Sequence, residues 1–258
     1  MKTGLICKYS AVSVALVILT AVSAAMGFAV YGEIGKKWNS LGGERGFLGA
    51  PLTDETGTPD GIGRYNHFQH GSIYWTPKTG AHEVHGFIRD KWSSLGWERS
   101  FLGYPISDEL PMADGRGRYS NFQGGTIFWS PKTGAHEMHG AIIPKWIRLG
   151  GSPGFLGYPL TDEMITPDKH GRYVHFQGGS IYWTPETGAH EVHGAIRDKW
   201  AKLAWERGAL RYPVSDEFQD GIFRRSNFQH GFIRWTKERG AEASVSLEGD
   251  VQLNPVRE

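Results

Sequence analysis

The sequence predicts an α+β repeat protein of four units of about 54 residues, each a short helix, a turn and an antiparallel β-hairpin. Three observations predict it. Trp38, Trp92, Trp146 and Trp200 recur at one spacing, as do Pro51, Pro105, Pro159 and Pro213. A second tryptophan series, Trp75, Trp129, Trp183 and Trp235, keeps that step until the last copy, which is two residues shorter. Within each copy the apolar spacing passes from helical to strand-like at the same place. The expected boundaries are 31–86, 87–140, 141–194 and a degenerate fourth copy at 195–243, followed by a tail at 244–258.

The repeat follows a segment of another kind. Lys2 and Lys8 precede an apolar stretch, Ala11 to Val30, with no charge, and Ser23, Ala24 and Ala25 resemble a signal-peptidase site. Residues 1–30 therefore read as an export signal, or as an N-terminal anchor that contacts the membrane if uncleaved. Either reading places the array in the secreted or envelope compartment. Cys7, the one cysteine, lies in this leader, so the exported part has no disulfides.

Each copy opens on a helix. Ile142, Trp146 and Leu149 stand at i, i+4 and i+7, with Gly150 as the stop, and Ile34, Trp38, Leu41 and Gly42 repeat the pattern. Pro144 falls near the start, where a missing N–H does least harm. Next comes a Gly/Pro turn, Phe155 to Pro159, with counterparts at Phe47 to Pro51 and Phe101 to Pro105. A hydroxyl and two carboxylates follow, as in Thr161-Asp162-Glu163, the composition of a hydrogen-bonded turn or helix start.

Two β-type runs, Arg172 to Phe176 and Ser180 to Trp183, joined by Gln177-Gly178-Gly179, give the hairpin. Period two puts Ile181 and Trp183 on one face and Tyr182 on the other. The first face reads Ile-Trp in every copy, whereas the opposite position is Tyr74, Phe128, Tyr182 and then Arg234. The constant face is expected in the core and the variable face outward. No capping copy is obviously polar, which favours closure of the four units into a ring.

An array offers one surface several times over, which suits attachment to a repetitive polymer better than it suits a single asymmetric catalytic site. The pairs His82/His85, His136/His139 and His190/His193 have i, i+3 spacing rather than the i, i+4 of a metal-binding helix, so a hydrogen-bonding role between copies is expected and no metal or cofactor. Adjacent Asp-Glu residues in equivalent turns are a poor match for the opposed carboxylates of a glycosidase. The formal net charge is +1 and no basic run follows the leader, which disfavours nucleic acid. Aromatic residues make up 13% of the chain, and exposed rings suit the C–H faces of sugars. The glycan-binding candidates are Tyr74, Phe128 and Tyr182 on the variable face, and Tyr104 and Tyr158, with Tyr212, in the turn. Trp97 and Trp205 join them because Gly43 and Gly151 stand at the matching positions, a tolerance expected of a site outside the core. Arg64, Arg118 and Arg172, with Arg224, are polar candidates that pairing with the Asp-Glu turns explains equally well.

The strings FLGAP (47–51) and FLGYP (101–105 and 155–159), with the GRYxxFQxGxIxW and TGAHxxHG strings that follow, resemble the LGFP repeat family from about Ile34 to Ala241. The resemblance implies a module of actinobacterial cell-envelope proteins that attaches to wall glycan such as arabinogalactan. Copy four departs from it, with Leu210-Arg211-Tyr212-Pro213 in place of Leu-Gly-Tyr-Pro and Ala241-Glu242-Ala243 in place of Ala-His-Glu. The expected function is an exported, non-enzymatic wall-binding module with cell-wall polysaccharide as partner; the alternative is an envelope scaffold that holds a partner enzyme.

Overall fold

The computed structural model describes residues 27–246. The expected export signal or anchor falls almost wholly outside that range, as does most of the 244–258 tail. Among the described residues no helix is long and apolar enough to cross a membrane.

Copy one comprises α1 (Gly32–Ser40), β1 (Thr56–Gly57), β2 (Arg64–Phe68), β3 (Gly71–Thr76) and β4 (Gly80–His85). Copy two repeats this as α2 (Gly86–Leu95), β5 (Leu110–Pro111), β6 (Arg118–Phe122), β7 (Gly125–Ser130) and β8 (Gly134–Met138). Copy three supplies α3 (Ile142–Arg148), β9 (Met164–Ile165), β10 (Arg172–Phe176), β11 (Gly179–Thr184) and β12 (Gly188–His193). Copy four supplies α4 (Gly194–Lys202), β13 (Phe218–Asp220), β14 (Phe223–Phe228), β15 (Gly231–Thr236) and β16 (Gly240–Val245). Each sheet is a four-stranded antiparallel meander in chain order, not a lone hairpin. The TGAHEVH string, left out of the hairpin reading, is a full strand: Trp75 pairs with Ala81 and Tyr74 with His82.

The helices end where glycine was expected to stop them, with Gly42, Gly96 and Gly150 at φ 96, 105 and 100°, and Ala204 left-handed at 69°. The turn after each helix is held from two sides. The indole N–H of Trp92 donates to the carbonyl of Gly103 (3.2 Å), and the backbone N–H of Tyr104 donates to Oε1 of Gln123 (3.0 Å). Gly103 sits at φ 65°, a left-handed conformation that favours glycine and that Arg211 adopts at the matching position of copy four (φ 59°).

The variable face of each sheet is not outward. Tyr74, Phe128 and Tyr182 are only 3, 5 and 3% exposed. Ile73 packs on its own helix with Ile34, Leu48 and Phe68, whereas Tyr74 packs on the next copy with Ile88, Trp92 and Leu102. Tyr74 meets the edge of Trp92 at 4.6 Å, Phe128 that of Trp146 at 4.9 Å and Tyr182 that of Trp200 at 4.7 Å. Helix and sheet thus alternate along the array, and every internal sheet is covered on both faces. A single copy has no second helix to show, so the reading of one unit misassigned that face.

The same layout accounts for both ends. Arg234 replaces the buried aromatic in copy four, with no further helix among the described residues; it pairs with Glu242, which replaces histidine. Phe223 stands where Gly63, Gly117 and Gly171 make room for the next copy's tyrosine. Copy four thus presents Arg234, Glu242 and Phe223 where the other copies present an aromatic, a histidine and a glycine. In copy one the backbone of Ala29, which stands 54 residues before Glu83, fills the place of a preceding strand. Its N–H donates to Oδ1 of Asp54 (2.7 Å), as that of Glu83 donates to Asp108 (3.2 Å), and its carbonyl accepts from the N–H of Glu55 (3.0 Å). Closure into a ring is not shown, and both terminal faces are finished by groups of their own.

Candidate functional site

The turn tyrosines are buried staples between copies. Tyr104 and Tyr158 are 3 and 5% exposed, and their hydroxyls donate to Asp60 (2.6 Å) and Asp114 (2.5 Å) of the preceding copy; Tyr212 donates to Asp168 (2.6 Å). Copy one has no preceding copy to staple and carries Ala50 there. The six tyrosine and phenylalanine candidates of the sequence reading, Tyr212 included, are thus corrected to structural residues.

Trp97 and Trp205 are half-buried. Trp97 packs edge-on against Trp92 (5.1 Å) and parallel to Tyr74 (6.1 Å, 21°). They alternate with Gly43 and Gly151 for a backbone reason: all four positions are left-handed, with φ of 58 and 56° for the tryptophans and 59 and 60° for the glycines. The substitution pattern therefore reports backbone conformation and not simple exposure.

The arginine candidates do pair with the Asp-Glu turns. Arg64 and Arg118 bond Glu55 and Glu109, Arg224 bonds Glu217 at 2.7 Å, and Arg172 reaches Glu163 at 3.8 Å. These pairs lie at the junctions, beside the half-exposed second tryptophan series, and there the histidines converge. His85, at the end of β4, bonds Glu83 through Nδ1 (2.7 Å) and faces Glu109 of copy two through Nε2 (3.3 Å). His139 is held by Glu137 (3.0 Å) and Glu163 (3.2 Å), and His193 by Glu191 (2.7 Å) and Glu217 (3.5 Å). The other member of each pair goes elsewhere: His82 bonds the carbonyl of Thr79 and faces Asp108, which also takes Lys37 of α1 (2.8 Å). Among the described residues no group of three or more His, Cys, Asp or Glu is placed to hold a metal ion.

Electrostatics distinguish these groups. Burial works against the charge of His85, but the hydrogen bond to Glu83 and the charges of Glu83 and Glu109 outweigh it and raise its pKa. His139 and His193 are raised first by their bonds to Glu137 and Glu191. Burial pushes Glu109 and Glu163 up. Each junction thus sets an imidazole and a guanidinium against two carboxylates, a mixture of donors and acceptors matched to hydroxyl groups.

At the first junction His85, Phe87, Glu109, Arg118 and Trp129 line a cavity of about 200 Å³. Phe87 stacks parallel on Trp129 at 5.6 Å. Ala141 and Ala195 occupy the equivalent positions at the next two junctions, so Trp183 and Trp235 lack that cover. Phe47, Phe101 and Phe155, 47, 55 and 51% exposed, stand over His85, His139 and His193 on the rim. Sequence reasoning assigned the second tryptophan series to the core; the signal it passed over was its period-two position opposite Tyr74, on the same strand face as the arginine pairs.

A protein-family model described as the LGFP repeat matches residues 48–100, 102–154 and 156–208. A search of curated proteins finds no match.

Proposed function

Because the chain belongs to the LGFP repeat family, a repeat module often associated with the cell envelope, we propose that it is an exported, non-enzymatic array that attaches to wall glycan of the arabinogalactan kind. One observation carries the reading: the His-Glu-Arg-Trp cluster recurs at three successive junctions, each made from the end of one copy and the turn of the next. Sugar rings stack on the indole while imidazole, guanidinium and carboxylate hold the hydroxyls. A single such site of about millimolar affinity becomes useful when neighbouring sites engage one chain, because later contacts are intramolecular. Each imidazole is committed to two carboxylates, which favours binding over general base work.

The exposed rim phenylalanines, with Leu52, Ile106 and Leu160 at 51, 47 and 47% exposure, favour a second reading, an envelope scaffold holding a partner enzyme. Titration of soluble arabinogalactan into the protein with tryptophan fluorescence separates the two. Glycan attachment predicts a saturable change that Trp183→Ala and Trp235→Ala each reduce. No change at millimolar sugar removes the glycan reading and leaves the scaffold.

A further inference from the structure

A second, chemically different surface recurs at every other junction. At junctions one and three the guanidinium of Arg89 lies 5.2 Å over Trp97, and that of Arg197 lies 5.3 Å over Trp205. The Nε of Arg89 donates to Ser72 Oγ (2.7 Å), and Ser72 Oγ is 2.7 Å from Nδ1 of His67. Arg197, Ser180 and His175 repeat both distances. The middle junction has none of this: Ile143, Gly151, Asn121 and Thr126 stand in the four places.

Three features mark the set as more than packing. The backbone of Trp97 and Trp205 is left-handed, a conformation that is strained for a bulky residue and that glycine occupies at the two other copies. Among the described residues the partners of Arg89 and Arg197 are neutral, serine, histidine and indole, whereas the junction arginines pair with glutamates. Burial and the neighbouring guanidinium depress the pKa of His67, and that of His175 to about 4, so the imidazoles stay neutral and accept. A half-buried guanidinium held over an indole, with no carboxylate partner among the described residues, is matched to an anion.

We propose that Trp97 with Arg89, and Trp205 with Arg197, form two equivalent platforms for an anionic sugar residue, its ring on the indole and its carboxylate or phosphate on the guanidinium, two copies apart along the array. This rests on the glycan-binding reading and adds a charged residue to the polymer recognised.

The chain supplies its own replacements for the test. Trp97→Gly with Trp205→Gly, and separately Arg89→Ile with Arg197→Ile, introduce residues that the array already uses at these positions, and circular dichroism verifies folding. Binding is measured by affinity electrophoresis in polygalacturonate, in a polymer of phosphorylated sugars and in neutral arabinogalactan. The platform predicts that each double variant weakens binding to one of the anionic polymers by about tenfold, the loss expected of a stacking contact, while the neutral glycan changes less than twofold. Which anionic polymer responds separates carboxylate from phosphate. Equal affinity of variant and parent for both anionic polymers overturns the platform while neutral binding persists. Absence of binding to all three by the parent overturns the glycan reading itself.

Discussion

The phenol of Tyr104 in copy two donates a 2.6 Å hydrogen bond to Oδ1 of Asp60 in copy one, with the hydroxyl of Thr58 2.7 Å away. The bond joins the buried phenol of one copy to a half-buried carboxylate of the other, and Gly63 lies beneath the ring, where a Cβ would come within 2.7 Å of it. At the next junction burial and the Asp114 carboxylate push Tyr158 up to about 12, and the phenol holds Asp114 below its ordinary value. Tyr158→Phe is therefore expected to lower stability by about 1–3 kcal/mol, the loss of a buried phenol's hydrogen bond to a charged, half-buried partner. Urea unfolding measures it; an unchanged midpoint would show that the staple is not a stabilising contact.

Gly117→Ala tests the same junction from below. A Cβ at this position meets the carbonyl of Trp129 at 2.3 Å and the ring of Tyr158 at 2.6 Å, and neither can withdraw cheaply. We expect a loss of about 1–3 kcal/mol. Gly115→Ala offers a partial control, because nothing lies within 4 Å of its Cβ and only its positive φ of 69° opposes the change. Thermal unfolding of the pair is predicted to rank Gly117→Ala as the less stable.

Stability is expected to fall on both sides of a mildly acidic optimum. Burial opposes ionisation of Asp108, Asp162 and Asp216, but bonds from His82, His136 and His190, and from Lys37, Lys91 and Lys145, outweigh it and hold them at about 2. Their stabilisation is present above the unfolded value near 4 and is lost between about pH 4 and 2. His85, His139 and His193, raised above 6.5, contribute stability that is full below that value and lost as pH rises through their folded pKa values. His67 and His175, depressed, act in the opposite sense and stabilise above 6.5. Asn substitution at His85, His139 and His193 together should flatten the alkaline limb of the melting temperature plotted against pH. An alkaline limb that keeps its slope would locate the titration elsewhere.

Glu98 and Glu206 are 7 and 2% exposed, and each leaves one carboxylate oxygen without a hydrogen bond. Burial pushes both pKa values up, so the carboxylates favour folding below their unfolded pKa and oppose it as pH rises through the folded value. Glu98→Gln and Glu206→Gln should raise the melting temperature at pH 7 and leave it nearly unchanged at pH 4. A fall at pH 7 would mean that the charged form is the stabilising one.

Much of the architecture was legible in spacing. Trp92 and Gly96 marked the helix and its stop, and Gln177-Gly178 marked the hairpin loop, because these depend on local backbone geometry. The failures share one cause. Tyr74, Tyr104 and Phe128 were placed outward because the reading took one copy alone, whereas the partners that bury them, Trp92, Asp60 and Trp146, belong to neighbouring copies. The replacement of Tyr by Arg234 reads as surface tolerance in the sequence, whereas in the structure Arg234 pairs with Glu242 on the copy-four sheet. The pairing of Arg118 with the Asp-Glu turn was legible, and its period-two position sets it beside Trp129.

Sedimentation of the purified protein with insoluble cell-wall material, before and after removal of its arabinogalactan, tests the central claim most directly. The account predicts retention that disappears with the glycan and that Trp183→Ala combined with Trp235→Ala weakens on untreated wall. Equal retention on stripped and untreated wall, or none on either, would contradict it.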